Sequence, residues 1–301
     1  MNLRQLEYFV AVARVRSITL AAEEFGVAQP TLTKSIRGLE DELGVALFRR
    51  LPRGVELTSY GEVLLRHAQA LNVQLSDAVR EIQSLTGGMS GSVNIGAGPA
   101  WLRRHLPLAV ARAIARHPAI RVHVDGGFDD VLLRALRRGE VDLVVAEIPS
   151  PENARDLKVI PLTSDRLAVA CRAGHPLSRK RRVAMRHLLD YPWSMPPVAT
   201  RTTRRLRALF IAADLSPPEI AIETESMAFL LQVLQNSDAV TLTVASTLLL
   251  PEAAGLRLLT VAGLAPEREA GIILRKDGFL APAAEAVVTE LKQICALEPT
   301  N

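Results

Sequence analysis

The chain predicts an α/β protein in three parts: a small helical module closed by a basic hairpin, one long amphipathic helix, and a two-part body of alternating strands and helices. Three observations predict it. Two short helical segments flank Gly26-Val27, a heptad stripe without Gly or Pro runs from Glu62 to Thr86, and beyond Ser92 strand-like apolar runs alternate with helix-like ones.

Leu3, Leu6, Phe9, Val10 and Ala13 repeat at helical spacing, so a first helix is expected to bury that stripe. Ser17 stands where an N-cap is wanted before a second helix over Leu20–Phe25, in which Ala21 and Ala22 are small enough for a close crossing. Gly26 supplies the turn, and a third helix follows over Gln29–Glu40. Its apolar residues are Leu32, Ile36, Leu39 and Leu43, leaving Gln29, Thr31, Thr33, Lys34 and Arg37 on the other face, all able to bond phosphates or base edges. A helix-turn-helix is the reading, against a small helical bundle with an accidental polar face.

Residues 47–58 hold two short extended runs around Arg53-Gly54, and Gly54 can take the positive φ of a tight hairpin. A basic hairpin beside a recognition helix is a wing. Arg53 at its tip is suited to a narrow minor groove or its phosphates, and Arg49 and Arg50 to phosphates or internal ion pairs. The candidate DNA-binding residues are thus Gln29, Pro30, Thr31, Thr33, Lys34 and Arg37 on the helix and Arg53 on the wing.

The N-terminal part closely resembles the LysR-type transcriptional regulators. The residues that carry the resemblance are Leu3-Arg4-Gln5-Leu6 with Phe9, Ser17, Ala21-Ala22, Gln29 to Thr33, Ile36, Leu39-Glu40, Leu43-Gly44, Leu47-Phe48-Arg49-Arg50, Arg53-Gly54-Val55, Leu57-Thr58 and Gly61. Two positions depart from the family pattern. Ala28 stands where a serine hydroxyl usually caps the recognition helix, removing a cap worth about 0.5–2 kcal/mol, and Leu51 stands where a threonine is common in the wing.

At 301 residues, 49% of them hydrophobic, the chain has room for two or three domains with real cores. No run reaches the roughly 18 apolar residues of a membrane span and no signal-peptide core opens the chain, so a cytoplasmic protein without a membrane partner is expected. The net charge of +4 is no guide to nucleic acid, because residues 1–86 hold ten basic and ten acidic side chains. What matters is placement: Lys34, Arg37, Arg49, Arg50 and Arg53 fall on the expected DNA face, with Glu40, Asp41 and Glu42 at the far end of the helix.

Leu64, Ala68, Leu71, Leu75, Ala78, Ile82 and Leu85 follow alternating steps of four and three, a seam that needs a partner. Packing on the chain's own body is one answer. The resemblance implies the other, pairing with the same helix of a second subunit, and two recognition helices one DNA turn apart would then read a palindrome. The expected segmentation is a winged helix-turn-helix over 1–58, a linker and dimerisation helix over 59–86, a glycine-rich hinge over 87–91 and an effector-binding domain over 92–301.

In that last domain, strands are expected at 92–97, 120–124, 141–146 and 157–162 with helices at 101–116 and 131–138, a rhythm that argues for parallel sheets with helices on both faces. A second set has strands at 166–172, 219–223, 239–243, 256–261 and 270–275 and helices at 202–213, 227–235 and 282–297. The family resemblance implies two lobes joined by two crossings, near 162–164 and 263–266. Lobe one then spans about 92–162 and 267–301 and lobe two about 163–266, an arrangement similar to periplasmic solute-binding proteins, with a cleft between.

Loops after strand ends and at helix starts are where such sheets bind ligands. Gly98, Pro99, Ala100, Phe128, Glu147, Thr202, Thr203, Arg204 and Ser226 are the effector-binding candidates, with the two threonines favoured over the arginines. Gly98 and Pro99 stand where family members often carry a hydroxyl, which points to backbone N–H recognition or to an effector with fewer polar contacts there. Hydroxyls and guanidinium groups at the start of the 202–213 helix suit a small carboxylate. Arg179 to Arg182 reads as a solvated charge run.

No catalytic constellation emerges. Gly96-Ala97-Gly98 begins like a dinucleotide fingerprint, but Trp101 stands in place of its last glycine. His67, His105, His117, His123, His175 and His187 are never three or four apart, and Cys171 and Cys295 are too few for a disulfide framework or zinc site, so neither cofactor nor metal is expected. The reading is a ligand-responsive DNA-binding regulator, a homodimer assembling to a homotetramer as the resemblance implies, with promoter DNA, a small anionic effector and RNA polymerase as its partners. The alternative is a solute-binding or transport component using the same bilobal body.

Overall fold

The computed structural model describes residues 1–86, 91–264 and 267–297. They divide into two compact units, Met1–Gln83 and Ser84–Asn301. The hinge expected at 87–91 lies outside the described residues except for Gly91, and so do Ala265 and Pro266 of the second expected crossing.

In the first unit, α1 (Leu3–Val15) begins with a capping box in which Asn2 and Gln5 exchange side-chain and backbone bonds at 2.9 Å. It ends at Arg16, which takes the left-handed region with φ of 54°. Ser17 then caps α2 (Ile18–Glu24) by accepting from Leu20 N–H, and Gly26, with φ of 62°, turns the chain into α3 (Gln29–Leu43). As expected, Ala28 gives α3 no side-chain cap; Pro30 in the first turn needs no N–H partner. Strands β1 (Phe48–Arg50) and β2 (Val55–Leu57) pair antiparallel as the wing, and α4 (Ser59–Thr86) follows.

The core of this unit gathers Leu6, Phe9, Val12, Ala21, Ala22, Leu32, Ile36, Leu39, Leu47, Val55 and Ala68. Burial of one such leucine or phenylalanine stabilises by about 1.5–3 kcal/mol. The buried stripe on α1 is rotated from the expected one: Val12 is buried while Leu3 is exposed, and on α3 Leu43 is exposed as well. Leu3 and Leu43 lie at helix ends, beyond the reach of the crossing. Glu40, which looked like part of a peripheral acidic cluster, accepts from Leu47 and Phe48 N–H at 2.8 and 3.1 Å and so ties α3 to the wing.

The second unit comprises β3 (Gly91–Ala97), α5 (His105–Arg116), β4 (Ile120–Gly126), α6 (Asp129–Arg137), β5 (Leu143–Glu147), β6 (Leu157–Arg172), β7 (Trp193–Met195), α7 (Arg201–Ala212), β8 (Ile220–Glu223), α8 (Met227–Gln235), β9 (Thr241–Val244), β10 (Leu256–Leu259), β11 (Glu267–Arg275) and α9 (Pro282–Ala296). Along the main sheet the order is β10-β6-β11-β5-β3-β4, and β9 also pairs with β6. Helices α5 and α9 contribute to the core on one face of the first lobe, and α6 to that on the other. The second lobe closes around Leu167, Val169, Trp193, Phe210 and Leu242.

Two expectations need correction. The expected strands at 157–162 and 166–172 are one 16-residue strand, β6, and the crossing is a hydrogen-bonded ribbon. Its first part pairs with β11 from Leu157↔Arg275 to Arg166↔Glu267, and its second part pairs with β9 and β10. Polar Thr163, Ser164 and Asp165 do not end it, because β11 supplies their backbone partners; a bulge at Ala270/Gly271 shifts the register opposite them. The main sheet is also mixed: β3–β4 and β3–β5 pair parallel, whereas β6 pairs antiparallel with β9, β10 and β11, and β11 with β5. A chain that leaves a lobe and returns beside its own outgoing strand must pair antiparallel.

Candidate functional site

On α3, Gln29, Pro30, Thr31, Lys34 and Arg37 are exposed and Thr33 is half-buried. Their spacing places them off the face that buries Leu32, Ile36 and Leu39. Gln29 Nε2 donates to Thr33 Oγ1 at 2.9 Å, so two of the polar candidates orient one another. On the wing, Arg53 is exposed in a turn closed by Leu51 N–H donating to Gly54 O at 3.1 Å. Gly54 has φ of 91°, and a β-carbon there would lie 2.4 Å from the Arg16 carbonyl oxygen, so both geometry and space call for glycine. Arg49 is ion-paired with Glu56 on the facing strand, whereas Arg50 and Arg53 have no ion pair among the described residues.

The seam on α4 divides. Ala68 is fully buried and Leu64 half-buried in the core of the winged module, so these two are held by their own chain. Leu71, Leu75, Ala78, Ile82 and Leu85 are exposed, with Ile82 at 63% and Leu85 at 83%. Sequence periodicity sees a single stripe, because the buried and the exposed apolar residues of one helix face follow the same spacing.

Within the second unit, the sequence-predicted residues meet different fates. Gly98 N–H is engaged by Val145 O at 2.9 Å, which removes it from backbone recognition of a ligand. Thr203 is fully buried and donates its hydroxyl to Pro196 O at 2.9 Å while accepting from Thr200. Ser226 caps α8 by accepting from Phe229 N–H at 3.2 Å. Both hydroxyls therefore serve local structure, a demand that composition at a helix start does not separate from ligand binding. Pro99, Ala100 and Phe128 are half-buried loop residues, and Ala100 packs on the core of the second lobe. Thr202 is half-buried.

The arginines, rated below the threonines from sequence, form a dense polar cluster. Glu147, the last residue of β5 and only 5% exposed, faces Arg205 Nη2 at 2.8 Å, Arg268 Nη1 at 3.2 Å and Arg201 Nη1 at 3.3 Å. Arg201 also donates to Ile148 O at 3.1 Å and lies 3.8 Å from Asp129, and Arg204 pairs with Asp130 at 2.7 Å. Arg201, Arg204 and Arg205 come from α7 of lobe two, and Asp129, Asp130 and Glu147 from lobe one, so these pairs cross the cleft. Burial would raise the Glu147 carboxyl, but the Arg205 hydrogen bond and the charges of Arg268, Arg205 and Arg201 outweigh it and hold the group below its ordinary range. Asp129 is pushed the other way, because burial outweighs the Arg201 charge.

A cavity of about 690 Å³ opens beside this cluster, lined by Arg134, Glu147, Arg201, Arg204, Arg205 and Arg268 among others. Of the nine predicted effector residues, only Glu147 and Arg204 line it. Arg134 is exposed and has no ion pair or hydrogen bond from its side chain among the described residues. The arrangement offers several guanidinium groups to an anion, with one carboxylate already seated among three of them.

Cys171 and Cys295 are buried in separate cores, one in each lobe. Burial pushes the Cys171 thiol up to about 11. His175 is fully buried, accepts from Leu177 N–H at Nδ1 and donates from Nε2 to Asp238 O. Arg179 to Arg182 are exposed, as a solvated run should be. No helix among the described residues is long and apolar enough to cross a membrane.

Residues 3–62 match the family model of the bacterial regulatory helix-turn-helix protein, lysR family, and residues 86–296 match that of the LysR substrate binding domain. The chain is 37% identical over 240 residues to the HTH-type transcriptional regulator PcaQ of Agrobacterium fabrum, covering 80% of this chain and 77% of that one. It is 34% identical over 297 residues to the SDS degradation transcriptional activation protein of a Pseudomonas species, covering 95% and 94%. Full-length OxyR from Pseudomonas aeruginosa shares the fold, with a TM-score of 0.67 at 23% identity over 97% and 95% of the two chains. These relatives are regulators and not solute-binding or transport components, and the chain belongs to the LysR family of DNA-binding transcriptional regulators, pairing a helix-turn-helix with an effector-binding domain.

Proposed function

We propose that the protein reads a promoter site through α3 in the major groove, using Gln29, Pro30, Thr31, Thr33, Lys34 and Arg37, with Arg53 of the wing at the adjacent minor groove or its phosphates. The observation that carries this reading is the exposed array on α3, off the face that buries Leu32, Ile36 and Leu39, beside a wing arginine without an ion pair among the described residues. Each phosphate contact contributes about 0.9 to the slope of log affinity against log salt. Changing Lys34 and Arg53 together to glutamine should therefore flatten the salt dependence on a duplex from the region upstream of the coding sequence. Unchanged retention would remove the assignment.

Two copies join through the exposed part of the α4 seam, and the dimer assembles to a tetramer. In the cytoplasm, the regulator works with RNA polymerase at the promoter and carries out no chemistry of its own. Its effector is a small anion, a carboxylate, held between the lobes against Arg201, Arg204 and Arg205. The guanidinium-lined cavity supports this choice over Gly98, Thr203 and Ser226, none of which lines it. Switching requires that the effector bind one arrangement of the assembly more tightly than the other. A thermal-shift screen of organic acids on the full chain, followed by footprinting with each hit, tests this. Tight binding with an unchanged footprint would remove the switch.

A further inference from the structure

Arg16 is one of two non-glycine residues with positive φ among the described residues, the other being Asp214. A left-handed conformation is costly for a side chain with a β-carbon and cheap for glycine, so a large charged residue there is unexpected on backbone grounds. Sparsely populated conformations persist where the surroundings over-determine them, and they concentrate at functional sites.

The surroundings here are the wing. The Arg16 carbonyl accepts from Val55 N–H at 3.0 Å, and the α-carbon of Gly54 passes so close to that carbonyl that no β-carbon fits between. The first residue of β2 is thereby pinned to the end of α1. Arg16 is exposed, and its guanidinium has no hydrogen bond or ion pair among the described residues. Around it, Arg49 is compensated by Glu56, so the uncompensated wing cations are Arg50 and Arg53. Glu56 is held below its ordinary range, first by the hydrogen bond and charge of Arg49, with Arg16 adding to the effect, which places the Arg16 charge in the field of the wing.

We infer that Arg16 is a further DNA-contacting residue, which binds backbone phosphate beside the wing and is fixed there through its own carbonyl. This rests on the reading of the wing as a DNA contact. Its side chain carries no sequence information of its own; it sets position and adds affinity, as phosphate contacts do.

The test measures binding of the full-length chain to a duplex from its upstream region by fluorescence anisotropy across a salt series, together with thermal unfolding. Arg16→Gly relieves the backbone and removes the charge. Its unfolding midpoint should match or exceed that of the parent, while affinity falls roughly three- to tenfold and the salt slope loses about 0.9 for each subunit bound. Arg16→Asn removes the same charge with a side chain that tolerates the left-handed region, and should lose the same slope; Arg16→Lys should retain it. A slope and affinity unchanged in both Arg16→Gly and Arg16→Asn would overturn the inference. Arg53→Gln separates the two levels: weakened binding there with intact binding in the Arg16 variants removes Arg16 alone, and no effect in any of them removes the wing contact as well.

Discussion

Arg205 and Glu147 meet across the two lobes, with Arg205 Nη2 donating to Glu147 Oε1 at 2.8 Å, while Arg201 and Arg268 approach the same carboxylate within 3.3 Å. One acid thus faces three guanidinium groups at the edge of a cavity, with Asp129 also 3.8 Å from Arg201. Removing one partner of a buried pair is strongly destabilising, because the others stay behind uncompensated. Since the arginines are 15–28% exposed, Glu147→Gln should cost about 2 kcal/mol, below the 3–5 kcal/mol of a dry site. The same change removes one negative charge from the cavity wall, so affinity for small organic anions should rise as stability falls. Calorimetric unfolding and titration with one anionic probe would check both signs, and a loss of both would contradict the account.

Acidification should weaken the effector-binding domain in two separate windows. His175 is held neutral by burial, which lowers its folded value below 6.5. Its contribution is complete above 6.5 and is lost as the pH falls below it, since the unfolded chain then takes up the proton first. Glu147, also lowered in the fold, contributes fully above 4.5 and loses that contribution as the pH falls through its lower folded value. Denaturation midpoints between pH 8 and 3 would show this, and His175→Gln should flatten the upper window only.

Thr203→Val and Ser226→Ala separate structural hydroxyls from ligand contacts. Thr203 holds Pro196 O from a fully buried position, so its loss should cost about 1–3 kcal/mol by leaving that carbonyl unpaired. Loss of the Ser226 cap should cost about 1 kcal/mol. Neither should change the dose of an effector needed for half-maximal response. A shift in that dose without a loss of stability would restore both as ligand contacts.

The two parts of the α4 seam should respond differently to charge. Leu75→Glu or Ile82→Glu alters an exposed position and should lower the mass seen by sedimentation while helicity is kept. Ala68→Glu places a carboxylate in the core of the winged module and should unfold that module instead.

Much of the N-terminal module could be read directly from the chain, because its signals are local. Ser17 caps the helix it precedes, Gly26 and Gly54 stand where φ is positive, and Leu32, Ile36 and Leu39 mark the buried face of α3. Many helix and strand positions in the body were legible for the same reason, with α8 at the expected residues, but β7 was missed and α5 starts at His105 rather than Trp101. What stayed hidden was how groups distant in sequence share one partner. Thr163 to Asp165 looked like a break, yet β11, a hundred residues on, completes their pairing.

The effector region shows the same limit in its chemistry. Residue types along the chain settled where helices begin and which side chains are able to bond an anion. Whether a given hydroxyl or guanidinium is available depended on the packed structure, which bonds Thr203 to Pro196 and Ser226 to its own helix, seats Glu147 among Arg201, Arg205 and Arg268, and leaves Arg16 beside the wing without an ion pair among the described residues. Short-range periodicity and capping are properties of neighbouring residues, but the saturation of a polar group depends on which distant atoms the fold brings within 3 Å of it.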